Sequence, residues 1–145
     1  MLIGVPASGK STWRLNNAAR SDHIESMDDY SIWWADQVGI TYHQAVRYAY
    51  KDAKLAVETA AAMAFLLNKN VIKDSTNTTV KSRRKSLARV PSHYHKTAVY
   101  FTTPLDLLDR LQNRSRFVPY SVVEYMLLQL TPPTLSEGFD RIVII

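Results

Sequence analysis

Short apolar runs alternate along the chain with longer segments in which apolar residues recur at helical spacing. The short runs are rich in β-branched residues and end at glycine or polar turns, as strands do. The longest helical segment contains neither glycine nor proline and is expected to break at most once. The pattern predicts strands at residues 1–3, 23–26, 71–73, 97–102 and 141–145, and helices at residues 10–20, 41–68, 80–89, 105–113 and 120–129.

This alternation predicts an α/β fold with a parallel sheet, right-handed crossovers and helices on both faces. Polar turns follow three of the predicted strands, at residues 4–11, 27–30 and 74–77. The carboxyl ends of parallel strands meet at one edge of a sheet, where ligands bind. We therefore expect these turns to share one active site, within a single domain spanning residues 1–145.

The amino-acid composition excludes several kinds of protein and of functional site. With 46% hydrophobic and 21% charged residues, the chain is typical of a globular protein with a real core. It contains no cysteine, which excludes disulfides, thiolate metal sites and a cysteine nucleophile. Its longest apolar stretch, residues 60–67, is far shorter than the ~20 residues of a membrane span, and no signal peptide is evident. We expect a cytoplasmic protein without a membrane partner.

The turn after the first strand is a complete phosphate-binding loop, or P-loop. Its glycines let the backbone wrap a phosphate, its N–H groups and the following helix N-terminus supply positive charge, Lys10 reaches the β- and γ-phosphates, and Ser11 holds Mg²⁺. The sequence therefore predicts binding of ATP and Mg²⁺. The residues expected to contact the nucleotide are Gly4, Pro6, Ala7, Ser8, Gly9, Lys10, Ser11 and Thr12.

Phosphate transfer also requires a base for the acceptor, and two acidic turns are candidates. Asp28 or Asp29 follows the second predicted strand and could accept a proton from an acceptor hydroxyl. The structural alternative is an aspartate that serves as N-cap of a helix beginning near Tyr30, and we expect one carboxylate to cap this helix and the other to act as the base. Asp74 follows the third strand, where a P-loop protein often places an acid that binds Mg²⁺ or its water; its alternative is an Asx-turn.

Basic residues form two further groups. Arg110, Arg114 and Arg116 lie on or just beyond a predicted helix, with the first two one turn apart, so they could close as a helical lid over the transferring phosphate. The alternative is that they are solvated surface arginines. A second cluster holds much of the +5 net charge and could follow a nucleic-acid backbone, or could be a solvated helix face. It comprises Lys81, Arg83, Arg84, Lys85, Arg89, His93, His95 and Lys96.

These segments resemble, over essentially the whole chain, the kinase module of bacteriophage polynucleotide 5′-kinases, within the zeta-toxin-like P-loop kinases. The resemblance rests on residues 4–13, 27–30, 71–77 with Arg83 and Arg84, 110–119 and 133–140. It does not extend to the phosphatase domain of the bifunctional phage enzyme. It implies a P-loop kinase fold with a helical lid, with Lys10 and Ser11 binding phosphates and Mg²⁺, Asp28 as general base, and Arg110 and Arg114 as catalytic lid arginines.

The function implied by this resemblance is transfer of the γ-phosphate of ATP to a 5′-hydroxyl of DNA or RNA, as in nucleic acid repair. The basic segment around residues 81–96 agrees with such a polyanionic substrate. Two alternatives remain open at this point. One is a P-loop kinase for a small metabolite or nucleoside, and the other is a nucleotide-dependent binding module with weak ATPase activity.

Overall fold

The computed structural model describes residues 1–114 and 116–145. The chain divides into two compact units. The first, here called the P-loop unit, comprises Met1–Ala18 and Thr76–Ile145. The second, here called the 19–75 unit, comprises Ala19–Ser75. No helix in the described part of the chain is both long and apolar enough to cross a membrane.

The described residues of the P-loop unit include a parallel sheet of three strands. Strand β4, Thr97–Tyr100, pairs with β1, Leu2–Ile3, on one edge and with β5, Arg141–Ile144, on the other. Its central residues are buried because neighbours cover both edges and both faces of a middle strand. Strand β1 is short but fully buried, and it leads directly into the P-loop.

Among the residues that the structure describes, the helices of this unit are α1 (Lys10–Asn17), α4 (Val80–Leu87), α5 (Leu107–Gln112) and α6 (Tyr120–Gln129). A 3₁₀ turn follows at Leu135–Glu137. Apolar clusters of described residues contribute to the core of this unit. One joins Ile3, Leu87, Ala98 and Phe139, and another joins Val5, Leu107 and Val123.

The 19–75 unit contains a two-stranded parallel sheet and two helices. Strands β2, His23–Glu25, and β3, Val71–Lys73, pair in parallel, so a crossover must connect them. Helices α2, Met27–Val38, and α3, Tyr42–Leu66, form that crossover. Helix α3 runs unbroken for 25 residues because it contains neither proline nor glycine. Its buried face consists of small residues at helical spacing: Ala45, Ala49, Ala53, Val57, Ala61 and Ala64.

The predicted α/β fold with parallel strands and helices is confirmed, and every predicted strand is present. Within the described residues, however, the strands form two sheets rather than one. In the P-loop unit, the segment that follows β3 is joined to the end of β1. Individual hydrogen bonds make this connection, not the regular pairing of two strands. The amide of Gly4 donates to the Thr76 carbonyl at 2.9 Å, and the buried Asn77 side chain donates to the Leu2 carbonyl at 2.7 Å.

Candidate active site

The P-loop connects the end of β1 to the start of α1, and its shape requires glycine at two positions. A Cβ atom on Gly4 would lie 2.6 Å from Ser8 Oγ and 3.0 Å from Phe101 Cβ. Gly9 is the N-cap of α1 and has a φ of 104°, which side chains rarely adopt. The two glycines therefore permit a turn that any larger residue would distort.

Lys10 is held against this loop by its own backbone. Its ammonium Nζ donates to the Gly4 carbonyl at 2.9 Å, to the Val5 carbonyl at 2.6 Å and to Ser8 Oγ at 3.4 Å. The residue is only 8% exposed, and burial of a charge is tolerable because these bonds replace water. The ammonium is thus fixed beside the loop backbone, where a phosphate would add to its partners.

The start of α1 is suited to an anion. Gly9 has no side chain to cap the helix, so the N-terminal N–H groups are not capped from that position. Ser11 and Thr12 lie exposed in the first turn. Since helix N-termini favour phosphate and the glycine-rich loop leads directly into this one, these residues fit a nucleotide triphosphate. Ser11 is the side chain that would hold the Mg²⁺ accompanying it.

Phe101, which the sequence analysis did not identify as a site residue, lies against the P-loop. It follows β4, is 2% exposed, and would contact side-chain atoms added at either Gly4 or Gly9. Its ring packs edge-on against Trp13 of α1, with centroids 6.4 Å apart. The P-loop therefore packs on an aromatic pair.

Arg83 forms the centre of a buried polar cluster. Its Nε and Nη2 atoms donate to the two carboxylate oxygens of Glu137 at 2.7 and 2.8 Å. Its Nη1 atom donates to three main-chain carbonyls, those of Asn77, Thr78 and Thr131, at 3.0–3.1 Å. Arg83 is 0% exposed. We call this group the Arg83 cluster; it fixes the segment that bonds to Gly4 and Leu2.

The pKa of Glu137 reflects this setting. Burial by itself raises the pKa, but the Arg83 hydrogen bonds, the Thr134 N–H and the charges of Arg83 and Arg84 outweigh burial. The net result is a pKa below the ordinary value of 4.5. Glu137 is therefore ionised at neutral pH and balances the buried guanidinium.

The assignment of Arg83 to a basic surface was wrong. Helical periodicity turns Arg83 and Leu87 toward the interior of the unit, while Lys81, Arg84 and Lys85 point outward and are exposed. Those three, spaced at i, i+3 and i+4, form one stripe of positive charge along α4. We call them the α4 stripe.

The predicted lid arginines do not share a helix face, because α5 is shorter than expected. It ends at Gln112, and Asn113 closes it by bonding to the Asp109 carbonyl through both its N–H and its side chain. Arg114 therefore lies beyond the helix. Ser115 falls outside the described residues.

Arg110 and the following arginines have different surroundings. Arg110 Nε donates to Asp106 Oδ1 at 2.8 Å, and this bond is the main reason that the pKa of Asp106 lies below 3.8. Both side chains are about half exposed. Arg114 and Arg116 are half-buried, and the Nη1 atom of each is shielded from solvent. Their action on phosphates stays a prediction.

In the 19–75 unit, Asp28 and Asp29 occupy the first turn of α2 and are exposed. The residue that caps this helix is Ser26, whose Oγ accepts from the Asp29 N–H at 3.1 Å. The alternative that one of the aspartates caps a helix starting near Tyr30 was therefore wrong, and what was expected to be a turn is helical. Asp28 Oδ1 accepts a hydrogen bond from the Tyr42 hydroxyl at 2.7 Å.

Asp74 directly follows β3, as predicted, and is half-buried. Its N–H donates to the Glu25 carbonyl at 2.9 Å, which extends the β2–β3 pairing by one bond. The buried Glu25 carboxylate accepts from Lys73 Nζ at 2.6 Å. Among residues 1–114 and 116–145, no three acidic or histidine side chains are grouped as a metal site. A role of Asp74 toward Mg²⁺ stays a prediction.

Comparison with known proteins identifies the family. The sequence profile of AAA_33, described as an AAA domain, matches residues 1–133. None of the curated proteins matches the chain. The matched range contains the P-loop, Asp28, Asp74, the arginines of residues 110–116 and Arg83, and it ends before Glu137. Because this range is most of the chain, the protein belongs to the AAA_33 family of P-loop NTPase-like kinases.

Proposed function

We propose that the protein is an ATP-dependent kinase that transfers the γ-phosphate of ATP to a 5′-hydroxyl of DNA or RNA. Family membership gives the coarser part, a nucleotide-dependent kinase-like activity whose substrate it leaves open. The observation that carries the nucleotide site is the glycine-shaped loop holding the Lys10 ammonium at 2.6–2.9 Å from two of its own carbonyls.

Two observations support a polynucleotide acceptor. The α4 stripe presents three exposed cations at helical spacing, as a phosphate backbone requires. Asp28 presents an exposed carboxylate at the start of a helix, where a hydroxyl on the end of a long substrate has access. A small-molecule kinase has no need of an external basic stripe. The stripe therefore favours the polynucleotide over the metabolite.

The proposed reaction is an in-line transfer. Asp28 accepts the proton of the acceptor hydroxyl, the acceptor oxygen bonds to the γ-phosphorus, and the bond from that phosphorus to the β–γ bridging oxygen breaks to release ADP. Lys10 and the α1 N-terminus bind the phosphates and stabilise their charge. Ser11 would hold Mg²⁺, and the bound ion would supply positive charge to the phosphates. Arg110 and Arg114 are proposed to act on the transferring group.

The test is transfer of labelled γ-phosphate to a panel of acceptors. The panel contains a 5′-hydroxyl oligodeoxynucleotide, its RNA counterpart, mononucleosides and water, each with wild type and Lys10→Ala. We expect label on an oligonucleotide and none with Lys10→Ala. Label on mononucleosides alone would establish the small-molecule alternative, and Lys10-dependent ATP hydrolysis without any labelled acceptor would establish the binding module.

A second experiment tests the contribution of the α4 stripe to binding of the oligonucleotide. Changing Lys81, Arg84 and Lys85 together to glutamine should raise KM for the oligonucleotide and leave KM for ATP unchanged. It should also reduce the slope of log affinity against log salt by roughly 2, since each phosphate contact on a single strand contributes about 0.7. The matched control changes three exposed cations elsewhere, Arg20, Arg47 and Lys51, to glutamine. Equal effects of both triple variants would mean that only net charge matters.

A further inference from the structure

Tyr42 makes the contact that carries a further inference. Its hydroxyl donates to Asp28 Oδ1 at 2.7 Å, and the two residues are 14 positions apart on different helices. The 2.7 Å between the two oxygens is the ordinary length of a well-formed O–H···O hydrogen bond. No pattern in the sequence connects the two positions.

The backbone that carries Tyr42 is fixed. Tyr42 is the first residue of α3, directly after the N-cap Thr41. Thr41 and Gln44 form a reciprocal capping box: the Gln44 N–H donates to Thr41 Oγ1 at 3.3 Å, and the Thr41 N–H donates to Gln44 Oε1 at 2.9 Å. The Tyr42 ring also packs edge-on against His43, with centroids 5.5 Å apart. The hydroxyl is therefore presented from a defined position.

The backbone of Asp28 is fixed as well, by the Ser26 cap of α2. Its side chain is exposed, and an exposed aspartate rotates freely unless a partner holds it. A base must be held within a fraction of an ångström of its substrate proton to work efficiently. The Tyr42 hydroxyl supplies such a partner at Oδ1.

We propose that Tyr42 is a positioning residue that orients Asp28 for proton abstraction; this inference rests on the proposed function. Tyr42 holds Oδ1, and Oδ2 takes the proton of the acceptor hydroxyl as the new oxygen–phosphorus bond forms. Tyr42 keeps its own proton throughout and touches neither ATP nor acceptor. Its removal affects the rate of transfer and not the binding of nucleotide.

The experiment compares Tyr42→Phe with Tyr50→Phe, which removes a hydroxyl from an exposed tyrosine on the same helix. Both variants are assayed on the acceptor that wild type labels, with ATP affinity followed by tryptophan fluorescence and folding by thermal unfolding. We expect Tyr42→Phe to lower kcat about tenfold and to change KM for ATP less than twofold. Tyr50→Phe should match wild type in both parameters.

A double mutant separates positioning from a general structural effect. In an Asp28→Asn background, measured by single turnover, Tyr42→Phe should change the residual rate less than twofold, because the base it orients is gone. An equal tenfold loss in that background, or an unchanged kcat of Tyr42→Phe in wild type, would overturn the role of Tyr42 while the kinase activity stands. A wild type that labels no acceptor would overturn the proposed function and this inference with it.

Discussion

The nucleotide loop and the acidic start of α2 hold their charged groups in opposite ways. Lys10 and Arg83 in the P-loop unit are buried and each makes several hydrogen bonds to backbone carbonyls or a carboxylate. Asp28 in the 19–75 unit is exposed and is held by a tyrosine hydroxyl. A buried charge without partners costs several kcal/mol, whereas an exposed one is solvated at little cost.

This difference predicts that substitutions in the two regions change different properties of the protein. Changes to the buried network should cost folding and nucleotide binding together, because the same bonds shape the loop. Changes at Asp28 should cost transfer alone.

The largest expected effect comes from breaking the Arg83 cluster. Arg83→Met leaves the Glu137 charge buried without its partner and removes the donor to three carbonyls. We expect it to lower the free energy of unfolding by about 3–5 kcal/mol, measured by urea denaturation. Arg84→Met, on the exposed side of the same helix, should change it by about 0.5 kcal/mol or less.

The double variant Arg83→Met/Glu137→Leu tests whether the loss comes from the orphaned charge. Replacing both partners by apolar residues should recover part of the stability lost in Arg83→Met. A double variant no more stable than Arg83→Met would show that loss of the carbonyl bonds, and not the buried charge, dominates.

An intermediate effect is expected at Gly4. The added Cβ of Gly4→Ala would lie 2.6 Å from Ser8 Oγ and 3.3 Å from the Phe101 carbonyl, so the loop must shift. We expect the Kd for ATP to rise at least tenfold, measured by isothermal titration calorimetry. Gly39→Ala is the control, because Gly39 has a φ of 72° but nothing within 4 Å. It should cost about 1 kcal/mol of stability and leave the Kd unchanged.

The smallest effect is a dependence of stability on pH. The pKa of Glu137 is lowered on folding, so its contribution is complete above its unfolded pKa near 4.5 and is lost as pH falls through the folded value. The difference in unfolding midpoint between wild type and Glu137→Gln should therefore shrink as the pH is lowered from 7 to 3. A constant difference over this range would show that ionisation of Glu137 does not contribute.

The P-loop could be predicted from sequence because its chemistry requires fixed residues at fixed spacing within ten positions of the chain. The sequence could also have distinguished the buried Arg83 from the exposed residues of the α4 stripe. Positions 83 and 87 share one face of the helix, and positions 81, 84 and 85 lie on the other. The start of α2 had a signal as well, a serine followed three residues later by an acidic residue, as at many helix N-termini.

Other features had no local signal. The Arg83–Glu137 pair joins residues 54 positions apart, and the Tyr42–Asp28 bond joins two helices whose approach depends on packing. Tertiary contacts decide these features, and neither propensity nor spacing reports them.

The central claim is that Asp28 supplies the base of a kinase whose nucleotide site is independent of it. The most direct test measures the rate of phosphate transfer and the Kd for ATP in Asp28→Asn, with Asp36→Asn, an exposed aspartate on the same helix, as control. We predict that Asp28→Asn lowers the transfer rate by about 10²–10⁴-fold with an unchanged Kd and unfolding midpoint. Full transfer activity in Asp28→Asn would contradict the claim.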